Sequence, residues 1–439
     1  MHIAVYTHRF SKISKIYYLA IKTPTASPLF AMKKENNALP RRQFLGNVSK
    51  VGILGSLAAF LPGSSSAEVL ESFAAIPGDG HVFLTEPYLQ LPSADGMTIR
   101  WVTNKLCYSW VEYGEGTNLN LKAHNVTDGL VDAHNRINFV KLKDLKPATK
   151  YSYRVLSKEI TDFQPYSLKY GDTITSETYS FSTPKANPES VSWLIMNDIH
   201  DRPASIPHLL KLNTEDYDYV FFNGDIFDFQ KDEQQIIDNM LKPSTDAFAS
   251  SKPFMFVRGN HETRGKFSRE LKDYFSTKDD KGYFAYQWGP VFNIVLDTGE
   301  DKPDDHPVYA GIVDFDGYRK EQAKWLEEIM KSSAYKKAKF RVVMMHIPLY
   351  HSGDWHGPMH CQELFAPLFK KYKIDLVISG HTHTYGVWAP SAEHPYPVII
   401  GGGPKEGNRT LIKVKADSKT LDLVMLKDDG SEVGKYSLS

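Results

Sequence analysis

The sequence predicts an α/β domain preceded by a small all-β sandwich, and two changes of texture along the chain carry that prediction. From roughly His81 to Pro184, short runs alternate apolar and polar residues with a period of two, and no helical pattern interrupts them. From about Val191, strand-like apolar runs alternate with amphipathic stretches, as when helices pack against a buried sheet. At 439 residues the chain is also too long for one ordinary core. The expected organisation is a leader over 1–67, an all-β domain over 80–184 and an α/β domain over 190–439.

The leader is set apart by charge. Residues 1–67 carry nine Lys or Arg against the single acid Glu35, which leaves the remainder with a net charge of −8. So acidic a remainder has no electrostatic footprint for polyanions, and no stable nucleic-acid binding is expected. Within "LPRRQFLGNVSKVGILGSLAAFLPGSSSAEV", Arg41 and Arg42 precede an apolar run too short to span a membrane, and Ser65, Ser66 and Ala67 supply small residues for cleavage. The pattern resembles a twin-arginine export signal, which implies the twin-arginine machinery as partner, a periplasmic or secreted product and no transmembrane anchor after removal. Met32, followed by Lys33 and Lys34, is a more natural start than Met1. Cys107 and Cys361 allow one disulfide or two unpaired thiols, but no thiolate zinc site.

In the all-β segment, "MTIRWVTN", "YSWVEYG", "INFVKLKDL", "KYSYRVLS" and "TYSFSTP" read as strands of an antiparallel sandwich, with Trp101, Trp110, Tyr151 and Tyr153 as core residues. "LKPATKYSYRV" (Leu145 to Val155) resembles the entry to the tyrosine-corner strand of fibronectin type III domains. Together with "EPYLQL" and "MTIRWVT", it is similar to the amino-terminal domain of purple acid phosphatases.

In the α/β segment, "SWLIM", "YVFF", "FMFV", "FNIVL", "RVVMM" and "DLVIS" read as buried strands, and "YRKEQAKWLEEIMK" and "CQELFAPLFKKYK" as helices. After Gly386, "YPVIIGGG", "RTLIKVKA" and "TLDLVMLK" are expected to complete a second sheet, with the glycines Gly401 to Gly403 turning beside the site.

Chemistry collects where these strands end. "LIMNDIHD" delivers Asp198 and His200; "VFFNGDIFD" delivers Asp225 and Asp228; "MFVRGNHE" delivers Asn260, His261 and Glu262; "VVMMHIP" delivers His346; "LVISGHTH" delivers His381 and His383. Loops at the carboxyl ends of such strands converge on one crevice. Positions i and i+2 of an extended strand project to the same side, so Asp198 with His200, and His381 with His383, are expected to aim together. Imidazole nitrogens, carboxylate oxygens and an amide oxygen suit zinc, manganese or iron. Two such ions about 3.5–4 Å apart can hold a phosphoryl group and generate a hydroxide.

The ordered blocks D-x-H, G-D-x-x-D, G-N-H-E, a lone His after a strand and G-H-x-H resemble the calcineurin-like metallophosphoesterase superfamily over roughly residues 190 to 390. The resemblance implies a four-layer β-sandwich flanked by helices, preceded here by the fibronectin type III-like sandwich. It implies two divalent or mixed-valence ions (Mn, Fe or Zn), the first on Asp198, His200 and His383, the second on Asn260, His346 and His381, with Asp225 between them. It further implies His261 as proton donor to the leaving group, oriented by Glu262. Two positions depart from purple acid phosphatases: Asp228 stands where they carry a ferric-binding Tyr, and His200 where they carry a small residue. Asp228 is either a partner for a histidine or a turn carboxylate. His351, His356 and His360 form either a substrate loop, with His356 on phosphate, or an exposed polar loop. Arg258 meets either phosphate or a neighbouring carboxylate, and Asp297 is either a partner of the site or structural.

The function expected is hydrolysis of a small phosphate monoester by metal-bound hydroxide. A phosphodiesterase is the enzymatic alternative. A surface binding protein on a silent scaffold is the alternative of another class, and seven compatible ligand positions argue against it.

Overall fold

The structure is a computed structural model that describes residues 80–439; the expected leader and export signal over 1–67 lie outside the described residues. The amino-terminal part is all β: β1 (Tyr88–Ser93), β2 (Gly96–Glu115), β3 (Leu121–Ala123), the short pair β4 (Val126–Thr127) and β5 (Leu130–Val131), β6 (Ala133–Leu142), β7 (Lys150–Gln164), β8 (Ser167–Thr175) and β9 (Tyr179–Ser182). All its pairings are antiparallel.

The 20-residue β2 serves both halves of the sandwich. Its first part, Met97 to Val102, pairs with β1 and β6; its second, Cys107 to Glu115, pairs with β7 and β3 and, at Cys107 and Tyr108, still with β6. The register shift between Val102 and Cys107 re-aims the strand. Between the halves lie Leu89, Ile99, Trp101, Val111, Tyr153 and Phe181. The Tyr151 hydroxyl accepts a hydrogen bond from Lys146 N at 2.9 Å, closing the tyrosine corner that the sequence suggested. Trp110 departs from expectation: it is only half-buried, stacked on Tyr108 and lying under the Lys122 ammonium at 4.1 Å. Its position alternates onto the outer face of the strand.

The remainder has two stacked sheets. The first comprises β10 (Ser190–Met196), β11 (Tyr219–Asn223) and β12 (Phe254–Val257). The second begins with β13 (Phe284–Trp288), β14 (Val291–Leu296), β15 (Phe340–Met345), β16 (Leu376–Ser379), β17 (Gly386–Trp388) and β18 (Val398–Ile400). The chain then returns to the first sheet with β19 (Thr410–Asp417), β20 (Leu421–Lys427) and β21 (Glu432–Leu438). The orders are β12-β11-β10-β19-β20-β21 and β13-β14-β15-β16-β18-β17. The closing strands therefore split: β18 joins the second sheet, while β19 pairs antiparallel with β10 and covers the edge that β10 would leave open.

Alternation along each strand explains the layering. Trp193 and Ile195 face the second sheet with Tyr219, Phe221, Val342 and Leu376. Leu194 and Met196 face outward with Val220 and Phe222 onto Ile206, Leu209, Met240 and Leu241 of the first helical layer. On the far side, Val343 and Met345 pack under Leu326, Met330, Phe365 and Phe369, which belong to the helices Phe315–Lys331 and His356–Tyr372. The result is a helix–sheet–sheet–helix sandwich.

The all-β part is built into the first helical layer. Tyr88 and Val102 share a core with Phe254 and Tyr274. The Tyr88 hydroxyl donates to Tyr274 O at 2.7 Å and the Tyr153 hydroxyl to Ser250 O at 2.8 Å. No helix among the described residues is long and apolar enough to cross a membrane.

Candidate metal centre

Each strand-end block falls just past its strand, and the parallel strands of both sheets end at one edge. The first sheet brings Asp198, Asp225 and Asn260 after β10, β11 and β12; the second brings His346 and His381 after β15 and β16. The means of convergence differs from the expected extended geometry. Asp198, His200, Asp225, His381 and His383 all take left-handed backbone conformations, with φ of 52°, 50°, 54°, 74° and 57°. Such conformations disfavour residues bearing a Cβ, and runs of them cluster at functional sites. The pairs aim together because tight left-handed loops turn both side chains inward, and not because a strand presents one face.

Glycines make room for these loops. Gly224 has φ +82°, and a Cβ there would sit 2.5 Å from His346 Nδ1; one on Gly259 would sit 2.2 Å from Asp225 Oδ1. An Ala at either position would displace a donor.

The donors gather into two adjoining clusters, Asp198 with His200 and His383, and Asp225 with His346 and His381. His383 Nε2 lies 3.2 Å from Asp198 Oδ1 and 3.0 Å from His200 Nε2. His346 Nε2 lies 3.0 Å from Asp225 Oδ2, and the Asn260 side-chain oxygen 3.0 Å from His381 Nδ1. Asp225 also lies 3.6 Å from His200 Nε2, which puts it between the clusters. Outer partners fix the rings: His200 Nδ1–H donates to Asp228 Oδ1 at 2.9 Å and His346 Nδ1–H to Asn223 O at 2.8 Å, leaving both Nε2 atoms for the site. Asp228 is thus the partner of a histidine.

The donors fit cations. Asp198 Oδ1 and His346 Nε2 are buried without any hydrogen-bond partner, although each faces other donors of the cluster. Buried polar atoms are not ordinarily left so. Burial would raise the Asp198 carboxyl, but His200 and His383 hold it far below the usual carboxylate range. Burial opposes charge on His346 too, yet the Asp225 carboxylate outweighs it and lifts the imidazole to about 10. Burial, then His346, pushes His381 down to about 4. The site thus concentrates negative charge that a proton on His346 only partly answers.

Glu262 does not touch the His261 ring. Its two oxygens accept the backbone N–H groups of Asp225, Ile226, Phe227 and Gly259 at 2.6–3.1 Å, so it pins the loop that carries Asp225. Its carboxyl is fully buried beside Asp225, and burial first, then that charge, lifts it to about 7. His261 is instead oriented by the Asp228 carbonyl, 2.7 Å from Nδ1. Arg264, which the sequence reading missed, donates from Nη1 to His261 Nε2 at 3.0 Å and is gripped by both oxygens of Glu300. Its signal was present as the only guanidinium immediately after the G-N-H-E block. Asn197, also missed, donates to Asp198 Oδ2 at 2.6 Å and Gly402 O at 2.9 Å. Arg258 is committed to the buried Asp297 at 2.5 Å, and His356 to Asp316 at 2.8 Å, so neither is turned to the cluster.

Two donor sets sharing one wall are what a phosphoryl group needs to be held from two sides, and this places the protein among metal-dependent phosphoric ester hydrolases with a dinuclear centre. The chain carries a calcineurin-like phosphoesterase domain, matched over residues 192–385, and a purple acid phosphatase N-terminal domain, matched over residues 85–183. It is 25% identical over 367 residues to probable purple acid phosphatase 20 of Arabidopsis thaliana, covering 76% of this chain and 77% of that one. Among solved structures, purple acid phosphatase PPD1 from yellow lupin superposes with a TM-score of 0.62 at 18% identity, covering 80% of this chain and 74% of the other. PhoD superposes at 0.59 and 12% identity, covering 83% and 94%. These two establish the fold.

Proposed function

We propose that the protein is an exported phosphomonoesterase whose centre holds one ion on Asp198, His200 and His383 and a second on Asn260, His346 and His381, with Asp225 between. The observation carrying this reading is the pair of adjoining clusters with Asp225 in contact with both. When bound, the ions supply positive charge for the phosphoryl oxygens and acidify a water. Zinc, manganese and iron all suit the donors; Asp228, standing where a tyrosinate would be needed and already bonded to His200, speaks against a purple tyrosinate–iron centre.

The chain's own residues supply the rest. Arg264, fixed by Glu300, presents a cation that does not titrate at the side of the site where His261 lies. His261 is neutral at rest, since burial and then Arg264 lower its proton affinity against the pull of Asp225. An arriving phosphate monoester places negative charge beside this imidazole and raises its proton affinity. His261 then takes a proton from solvent on Nε2, where it replaces the Arg264 hydrogen bond, and gives it to the departing alkoxide, which leaves as the alcohol. Asp228 O holds the ring in the tautomer that leaves Nε2 facing the site. Export rests on the arginine pair and apolar run of the leader; a reporter fused after Ala67 that stays in the cytoplasm would remove that part of the reading.

Hydrolysis of p-nitrophenyl phosphate but not bis-(p-nitrophenyl) phosphate, lost on chelation and restored by added metal, is the expected result. Turnover of the diester alone would make the protein a phosphodiesterase, and turnover of neither would return it to the binding-protein reading.

A further inference from the structure

A second group of metal-type donors lies outside the dinuclear centre. Asp316, in the first turn of the helix Phe315–Lys331, meets His356 and His360, which stand one turn apart at the start of the helix His356–Tyr372. His356 Nε2 lies 2.8 and 3.0 Å from the two Asp316 oxygens, and His360 Nδ1 lies 3.0 Å from Oδ1. The spacing i, i+4 places both rings on one helix face, and they stack with centroids 5.4 Å apart.

One detail separates this group from an ordinary ion pair. The His360 side chain is only 10% exposed, and its Nδ1 has no hydrogen-bond partner although a carboxylate oxygen is 3.0 Å away. Oδ1 accepts from His356 Nε2 and Arg319 Nη1, so His360 Nδ1 is the one buried atom of the group left without a partner. His346 Nε2 shows the same signature 3.0 Å from Asp225 Oδ2 in the dinuclear centre. Ligands about 2.0–2.2 Å from one tetrahedral ion stand about 3.3–3.6 Å apart, so an ion would spread these donors by only a few tenths of an ångström. Asp316 is further oriented by the buried Arg319, whose Nη1 donates to Oδ1 at 3.0 Å, as outer partners orient ligating carboxylates. Burial first lowers the proton affinity of His360, which keeps its lone pair available. The group opens onto a cavity of about 980 Å³ lined by Tyr350, Met359, Gln362 and Glu363, which leaves room for water or ligand on an ion's free positions.

We infer that Asp316, His356 and His360 form a third, mononuclear site for a divalent transition-metal ion of the zinc class, separate from the dinuclear centre. Two imidazoles and one carboxylate with open positions match that class and not magnesium or calcium.

The test is zinc stoichiometry of the full chain after equilibration with Zn²⁺ and desalting. The wild type is expected to retain three ions per chain, H356Q and H360Q each two, and the double variant N260A/H381A fewer than the wild type while still retaining the ion that H360Q loses. H356Q changes a partly exposed side chain, so it reads the site even if H360Q folds poorly. H356Q and H360Q chains that both retain as many ions as the wild type overturn the inference, whatever number the dinuclear centre itself holds.

Discussion

The Arg264 guanidinium donates to Nε2 of His261 at 3.0 Å while Glu300 accepts from it with both oxygens. A fixed cation thus leans on the nitrogen that Asp228 O leaves free, in the imidazole assigned to proton delivery. Its charge lowers the imidazole's proton affinity, so removing it must raise that affinity. In Arg264→Met the alkaline limb of the pH–rate profile, where His261 loses the proton it donates, is expected to move to higher pH, with turnover lower by about tenfold or more. Arg264→Lys keeps the charge and is expected to restore the limb. Equal limbs in all three proteins would dissociate Arg264 from His261.

His381 and Asn260 face each other at 3.0 Å in the second cluster. His381→Ala is expected to lower p-nitrophenyl phosphate turnover by about three orders of magnitude or more, because a two-ion grip fails when one ion is lost. Metal analysis of the same preparation is expected to show one ion fewer than the wild type. Unchanged hydrolysis would sink the proposed function.

Glu262 answers four backbone N–H groups around Asp225. Glu262→Ala leaves them buried without acceptors, at about 1–3 kcal/mol for each group that water does not reach. A net loss of about 3 kcal/mol lowers the melting temperature by about 6–12 °C in a domain of this size. Calorimetry checks the first effect and metal retention the second, since the loop carrying Asp225 loses its anchor. A melting temperature within a degree of wild type would contradict the anchoring role.

Cys107 and Cys361 are both buried free thiols, and burial pushes each up to about 11. At pH 8 only on the order of one molecule in a thousand carries either thiolate. Dithiobis-nitrobenzoate is expected to react with neither in the native protein and with both in guanidinium. Rapid labelling of the native chain would show that these parts of the fold open readily.

The strand ends were legible because chemistry there follows long apolar runs: β10, β11, β12, β15 and β16 are buried on both faces, so each announces itself and its end. The tyrosine corner was legible for a similar reason, a Tyr at fixed distance from Leu145 and Pro147. Three things were not. Left-handed φ at Asp198 or His383 leaves no mark on residue type, since the position would favour Gly on backbone grounds alone. The duty of Glu262 depends on which N–H groups surround it after folding, and adjacency to His261 in sequence suggested the wrong partner. The placement of β19 beside β10 joins residues more than two hundred positions apart, and local pattern carries no information on which sheet recruits a strand.

β2 runs through both halves of the all-β part, and that part meets the wall behind β12 through Tyr88 in a shared core and through Tyr153 and Pro87, both hydrogen-bonded to Ser250. These contacts couple the two parts through one buried core and through hydrogen bonds to backbone carbonyls. The all-β part therefore acts as a fixed buttress behind β12, and a change at Tyr88 or Tyr153 is expected to be felt in the first sheet as well as in the sandwich.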